Sequence, residues 1–446
     1  MDFKCMRRIT TSRRRFVLDM RSSDRVLFSF FLLALVLCSQ VCSAGDTLKA
    51  GKKITQKSNE TLVSSNRTFE LGFFSFNGSS SGVKSYYYLG IWYHEDPQTL
   101  VWVANRDKPV SDSSGVFRIA EDGNLVVEGA SKRHWSSEME ASSSTNRTLK
   151  LLESGNLVLM DDNSGRINYL WQSFQHPTDT FLPGMKMDAS LALTSWRNAT
   201  DPAPGNFKLA QVDGRQSFAV QNQSQIYWDL DELDRNADSQ VVYNLLRNTT
   251  TRGNRWHNFS DKTIFTLKPY NYKKSRLLMN SSGELQFLKW DEDESQWEKH
   301  WSGPVDNCDI HDYCGSFGIC NRNEYIGCKC LPGFSPSPDQ AEGELQVGCV
   351  RKSTSCINTD VTFLNLTNIK VGGPDQQFHT DTEAECQSFC ISKCPDSQCQ
   401  AYSYNTSTYS DRSYFTCHIW TRFLSSLVEE YDSGRDLSIL VKRSDI

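Results

Sequence analysis

The sequence is defined first by what it lacks. No cysteine occurs between Gly45 and Asn307, more than half of the 446 residues. That span has no bridges and no thiolate metal ligands, so it must close its cores by burying apolar side chains. An excess of positive charge is also missing. Lys and Arg number 48 against 53 Asp and Glu, a net charge of −5. Nucleic acid is therefore not an expected partner, because such binders carry a basic face. No run of 18 or more apolar residues occurs, so no stretch reads as a membrane-spanning helix. A Gly-rich phosphate loop, a strand lysine motif and H-R-D or D-F-G motifs are absent, so no phosphoryl transfer is expected of these residues. Helical periodicity is scarce before residue 308. Short β-rich runs dominate, such as Phe69–Phe74, Tyr86–Tyr93 and Leu100–Ala104, with turn pairs such as Asn77-Gly78 and Asp122-Gly123 between runs.

The N-terminus reads as a leader. Val26 to Cys38 is a thirteen-residue apolar run preceded by seven arginines, and Cys42-Ser43-Ala44 puts small residues at −3 and −1 of a cleavage site after Ala44. Met20 offers a second start with a more ordinary basic segment. Export agrees with eleven N-x-[ST] sequons, at Asn59, Asn66, Asn77, Asn146, Asn198, Asn222, Asn248, Asn258, Asn280, Asn365 and Asn405. Each glycan demands a surface position.

A repeat lies in the cysteine-free half. Phe117–Val127 (FRIAEDGNLVV) recurs 32 residues later as Leu149–Leu159 (LKLLESGNLVL), and each copy runs on to a tryptophan, Trp135 and Trp171. Strand, Gly-Asn turn, strand and aromatic anchor cannot close a core alone, but repeated units can. Gly283–Trp290 (GELQFLKW) echoes the pattern. With LGIWY (Leu89–Tyr93) and LVWVANRDKPV (Leu100–Val110), the units resemble the bulb-type mannose-binding lectins. That resemblance implies a β-prism of three four-stranded sheets, and a sugar site of the form Q-x-D-x-N-x-V-x-Y. The first copy keeps Asp122, Asn124 and Val126, with Ala120 for the glutamine and Glu128 for the tyrosine. The second keeps only Asn156 and Val158, with Leu152, Ser154 and Met160 at the other places. These five are the candidate carbohydrate residues. The competing reading makes Asp122 and Asn124 turn residues.

Trp171–Met187 (WQSFQHPTDTFLPGMKM) and Ser195–Phe207 (SWRNATDPAPGNF) closely resemble the S-locus glycoprotein and S-domain receptor-like kinase family of plants. Their prolines and glycines favour fixed turns between strands. Gln216–Val220, Gln225–Trp228 and Ile264–Leu267 read as further strands of a second, degenerate prism. The run Trp290 to Trp301 sets carboxylates among tryptophans, as a glycosidase cleft does. Its acids are neighbours in sequence, however, which fits a hairpin turn with exposed charges better.

Twelve of the 15 cysteines lie in Cys308–Cys417, six on each side of residue 350. An even count in an exported chain reads as a disulfide framework, and a module of about forty residues needs one. The spacing C-x5-C-x5-C-x7-C-x-C-x18-C from Cys308 to Cys349 resembles an EGF-like module. That implies Cys308–Cys320, Cys314–Cys328 and Cys330–Cys349, without the acidic pattern for calcium. A zinc site is the weaker reading of the cluster. In Asp381–Cys394, cysteines at i, i+4 and i+8 place three on one helix face. That segment resembles a PAN/apple module, and the pairing read from it is Cys386–Cys417, Cys390–Cys399 and Cys356–Cys394.

The sequence therefore predicts a mainly β chain of tandem lectin-like prisms followed by small disulfide-rich modules. The boundaries are 1–44 leader, 45–172 lectin domain, 173–303 S-locus glycoprotein domain, 304–350 EGF-like and 351–446 PAN/apple. The resemblance implies no catalytic residue, cofactor or metal. It implies the ligand-binding ectodomain of an S-domain receptor, in a secreted or truncated form or as the N-terminal part of a full receptor kinase, that binds a peptide, glycan or lipid. A mannose-reading lectin is the alternative. The resemblance also implies homo- or hetero-dimers with related receptors. Past Asn280 only Asn365 and Asn405 are sequons, so the cysteine half is the expected contact surface.

Overall fold

The structure is a computed structural model. It describes residues 45–446 except 59, 77–84, 131, 141–145, 162–167, 213–216, 231–240, 243–244, 247–273, 325–326, 339–347, 354–359, 393–398, 410–411 and 433. The leader, the expected strand at Ile264–Leu267 and the Asn77-Gly78 turn lie outside the described residues.

Three four-stranded antiparallel sheets build the first prism. The first joins Leu62–Val63, Phe69–Ser75, Tyr87–Tyr93 and Asp96–Val103. The second joins Lys53–Thr55, Val116–Ile119, Leu125–Glu128 and Arg133–Ser136. The third joins Thr47–Lys49, Arg147–Leu151, Leu157–Asp161 and Tyr169–Gln172. Strand register explains why each is a unit. Leu71, Ile91 and Trp102 lie side by side in the first sheet. Phe117, Val127 and Trp135 do so in the second, and Leu149, Leu159 and Trp171 in the third. The three tryptophans meet edge to face, with centroids 5.7–5.9 Å apart. Such aromatic packing adds about 0.5–1.5 kcal/mol per pair beyond burial. One sheet supplies one wall, so no sheet is stable without the other two.

The second prism shows the same rule in two four-stranded sheets. Thr180–Phe181, Ser275–Met279, Leu285–Asp291 and Gln296–Gly303 form one. Ala192–Asn198, Asp201–Gln211, Phe218–Asn222 and Gln225–Asp229 form the other. Leu277, Phe287 and Trp301 are in register in the first, and Leu209, Val220 and Trp228 in the second. The buried residues of both prisms form one continuous apolar cluster. One expectation changes. Pro202 and Pro204 sit inside a strand rather than in a turn. Residues 201–205 pair only with Ala192–Asn198, because bonding toward the next strand begins at Asn206, whose carbonyl accepts from the Gln223 amide (2.8 Å). A residue without an N–H is tolerated where one side of the strand needs no donor.

The cysteine half is built on a five-stranded sheet of Val361–Ile369, Arg435–Lys442, Ala401–Tyr409, Arg412–Trp420 and Gln376–His379, in that order. Helix α1, Glu383–Ser392, covers one face. Cys386 and Cys390 are buried there with Tyr402, Cys417 and Ile419. The EGF-like module covers the other face. Its Ile319, Leu331 and Phe334 share a core with Ala401, Trp420, Leu437 and Ile439. Alternation along the strands, Ala401 to one side and Tyr402 to the other, sends successive side chains into the two cores. A three-stranded sheet crosses the module boundary. Leu427–Val428 pairs in parallel with Gly318–Cys320, which pairs with Cys328–Cys330. The two modules are thus one packed body.

Candidate functional site

The five candidate sugar residues fall on two equivalent turns. Gly123 and Gly155 have φ of +83° and +86°, and Gly283 has +89° at the matching place of the second prism. A left-handed residue is needed there, and glycine adopts it without strain. Each turn is closed by the same bond, from the amides of Ala120, Leu152 and Asn280 to the carbonyls of Asn124, Asn156 and Glu284 (2.8–3.0 Å).

The asparagines tie strand ends together. Asn124 Oδ1 accepts from the Ser137 hydroxyl (2.9 Å) and the Met139 amide (2.8 Å), while its Nδ2 donates to the Met139 carbonyl (3.3 Å). Asn156 Oδ1 accepts from Ser173 (3.3 Å) and the Phe174 amide (3.2 Å), and its Nδ2 donates to Gln172 (3.0 Å). Both asparagines are buried. Val126 and Val158 are 0% exposed, so neither offers a surface to a sugar ring. Asp122 keeps an exposed carboxylate, and the Asn124 backbone amide holds that group below the usual carboxylate range. Glu128, at the tyrosine position, is paired with Arg118 (2.9 Å). Arg133 spans Asp122 (3.6 Å) and Glu128 (3.7 Å). Four of the five candidates are therefore engaged in holding the fold, and the fifth lies in a surface ion network.

Sequence reading missed the junction between the prisms. Arg106, from the LVWVANRDKPV stretch, is buried and reaches into the second prism. Its Nε donates to the Pro202 carbonyl (2.7 Å), and its Nη2 donates to the Ser195 carbonyl (2.7 Å). Nη1 and Nη2 share the Thr194 carbonyl (3.1 and 3.2 Å). Burial pushes the guanidinium below its ordinary pKa. Asp179 lies beneath, accepting from the hydroxyls of Thr178 (3.1 Å) and Thr180 (3.3 Å). Burial raises its carboxyl, against the pull of Arg106 and Arg276. No local pattern in the sequence signals it, because Arg106 stands in the polar stretch Asn105–Lys108 that follows the apolar run Leu100–Ala104.

The cysteine half contains the bridges Cys308–Cys320, Cys314–Cys328, Cys330–Cys349, Cys386–Cys417 and Cys390–Cys399. Cys356 and Cys394 lie outside the described residues. The sulfurs of Cys314, Cys320 and Cys328 lie within 4.8 Å of one another. Each is in a disulfide, so none offers a thiolate to a metal. Asp291 to Glu294 of the Trp290–Trp301 run stand at a hairpin turn, where Asp291 Oδ1 accepts from the amides of Asp293 (2.8 Å) and Glu294 (3.1 Å), and Glu298 lies in the returning strand. None of the seven described sequon asparagines is buried. Asn59, Asn77, Asn248 and Asn258 lie outside the described residues.

Three families match along the chain: D-mannose binding lectin over 99–201, the S-locus glycoprotein domain over 239–338 and the PAN-like domain over 356–427. A G-type lectin S-receptor-like serine/threonine-protein kinase of Arabidopsis thaliana is 39% identical over 94% of this chain and 50% of its own length. A second kinase of that description and organism is 34% identical over 94% of this chain and 51% of its own. Among solved structures, a monomeric mannose-binding lectin from Gastrodia elata aligns at 22% identity over 29% of this chain and 96% of that one, with a TM-score of 0.22. The chain spans about half the length of the curated relatives it matches, and none of the three matched domains is catalytic. With its prisms, its bridged modules and these relatives taken together, the chain belongs to the G-type lectin S-receptor-like family.

Proposed function

We propose that this chain is the ligand-recognising ectodomain part of an S-domain receptor, placed at the cell surface or outside it, and that it works by pairing with itself or a related receptor. The observation that carries the reading is the 39% identity, over 94% of this chain, to a receptor kinase about twice as long. The leader-like run and eleven sequons support export. The chain itself is not a kinase in this reading, since its residues contain none of the motifs that hold ATP. The match to the D-mannose binding lectin family supports a mannose-reading strand as the second reading. The engagement of Asn124, Asn156, Val126 and Val158 in the fold speaks against it.

Pairing is assigned to the cysteine half. Its two modules share one core, so little flexibility is lost on association. Val350, Ile391 and Phe423 are large apolar side chains exposed there. Co-precipitation of the full chain with tagged copies of itself and of related ectodomains tests this. The double variant Ile391→Asp, Phe423→Asp should weaken capture at least tenfold. Unchanged capture by that variant, with a lectin-half variant losing it instead, would refute the assignment.

A further inference from the structure

Between the prisms lies a cleft of about 200 Å³, lined by Tyr93, Glu95 and Asp96 of the first prism and by Lys274, Trp290 and Trp297 of the second. Trp290 and Trp297 face each other across the hairpin, in register, with centroids 5.4 Å apart. These are the tryptophans of the acid-rich run that no activity described above uses. Trp297 is held in place from several sides. Its Nε1 donates to Asp96 Oδ2 (3.1 Å), its ring lies 4.8 Å from that of Tyr93, and the Arg276 guanidinium sits 4.8 Å above it. Lys274 is fixed between Glu95 (2.8 Å) and Glu292 (2.7 Å).

Among the described residues, two buried polar groups have no hydrogen-bond partner here: the Tyr93 hydroxyl, on a residue of the cleft wall, and Arg276 Nε, behind Trp297. Each unpaired group costs roughly 1–3 kcal/mol, so this wall carries unsatisfied polarity beside its aromatic rings. The occupant is constrained. The volume is below the ~300–1,000 Å³ of drug-sized sites, which suits a small polar ligand better than a long acyl chain or a peptide of several residues. The lining combines indole rings with carboxylates and an ammonium. Flat aromatic rings suit the C–H face of a sugar, while close-set acceptors and donors suit its vicinal hydroxyls.

We propose that this inter-prism cleft is a saccharide-binding site of the protein, with Trp290 as the stacking platform and Glu95, Asp96 and Lys274 as the hydroxyl-reading groups. It deepens the recognition reading and rests on it, by naming the ligand chemistry and moving it away from the strand turns. The sugar has two possible sources. Asn66, on the cleft wall, heads a sequon, and its side-chain carbonyl is held by Ser64 (3.0 Å) and the Thr68 amide (3.1 Å). Its own glycan can therefore occupy the cleft, or a glycan can arrive from outside.

The test is calorimetric titration of the secreted full chain with methyl α-mannoside, methyl β-galactoside and N,N′-diacetylchitobiose. Five proteins are compared: wild type, Asn66→Gln, Trp290→Ala, Asp122→Ala and the double variant Asn66→Gln, Trp290→Ala. An outside source gives sugar binding by wild type that weakens about tenfold or more in Trp290→Ala and is unchanged in Asp122→Ala. The chain's own glycan as source gives no binding by wild type but binding by Asn66→Gln, lost in Asn66→Gln, Trp290→Ala. Absence of binding by both wild type and Asn66→Gln overturns the assignment. So does retention of affinity in Trp290→Ala, or loss in Asp122→Ala, which would return the site to the strand turn. Retained far-UV circular dichroism and melting temperature show that each variant is folded. If sugar binding fails while receptor pairing persists, only the cleft falls. If pairing fails while sugar binds, the receptor reading falls instead.

Discussion

Replacing Arg106 with methionine should loosen the joint between the prisms. Methionine keeps most of the stem volume and removes every donor. The guanidinium makes four bonds to three carbonyls, those of Thr194, Ser195 and Pro202. A hydrogen bond to a charged group is worth roughly 1.5–3 kcal/mol net. Three carbonyls would then give about 4–9 kcal/mol, counting the shared Thr194 contact once. Against this stands the cost of burying the charge, visible as the lowered pKa of the guanidinium. Losing one side of a buried charged network typically costs about 3–5 kcal/mol, and the hairpin can recover part of that by letting water reach its carbonyls. We expect about 3 kcal/mol. For a body of this size each kcal/mol moves the melting temperature by about 2–4 °C, so the transition should fall by roughly 6–12 °C. Tryptophan emission during heating follows it directly, because Trp102, Trp135 and Trp171 stack in the adjoining core. Arg106→Lys should recover less than half of the loss, since one ammonium cannot span three separated carbonyls. A shift under 2 °C in the methionine variant would refute the latch.

Asp179 should give the stability curve a pH dependence. Burial raises its folded pKa above the unfolded value of about 3.9, so the folded chain holds a proton that the unfolded chain has released. Its contribution is full below the unfolded value and is lost as pH rises through the raised folded value. Melting curves from pH 4 upward should show wild type losing stability relative to Asp179→Asn, and parallel curves would count against the assignment. Removing the Cys314–Cys328 bridge by double serine substitution should cost roughly 3 kcal/mol, from a loop of 14 residues. Scanning calorimetry should show the transition of the EGF-like and PAN body moving as one. A split into two transitions would mean that the modules fold independently.

The prisms were legible because their signal is local and repeated. Turn, strand and tryptophan recur with fixed spacing, so Phe117, Val127 and Trp135 announce the same line as Leu149, Leu159 and Trp171. The copies ending in Trp102 and Trp228 escaped notice because their turns lack the Gly-Asn signature. Arg67, with φ of +58°, takes the left-handed place in the first sheet. Cysteine spacing indicated where the bridged modules lie, and α1 was readable from Cys386 and Cys390 four residues apart. What could not be read was long-range. Arg106 and Thr194 are 88 residues apart, and Tyr93 and Trp297 are 204 apart, so no local pattern reports their meeting. The strand-turn asparagines are ambiguous in sequence for a related reason. A residue that could bind sugar and a residue that ties off a strand end share one sequence pattern, and only their partners tell them apart.

The parallel pairing of Leu427–Val428 with Gly318–Cys320 bears on how the chain is made. A ribosome delivers Cys308–Cys349 about a hundred residues before it delivers the strand that completes their sheet and the Trp420, Leu437 and Ile439 that complete their core. At about 5–20 residues per second the early cysteines wait several seconds or longer without their native packing. During that wait six thiols can oxidise in fifteen full pairings, and chain geometry alone chooses among them. Correct bridging of the first module should thus be completed only when the second arrives. Export yield should depend on disulfide isomerase supply more steeply than six cysteines alone would require.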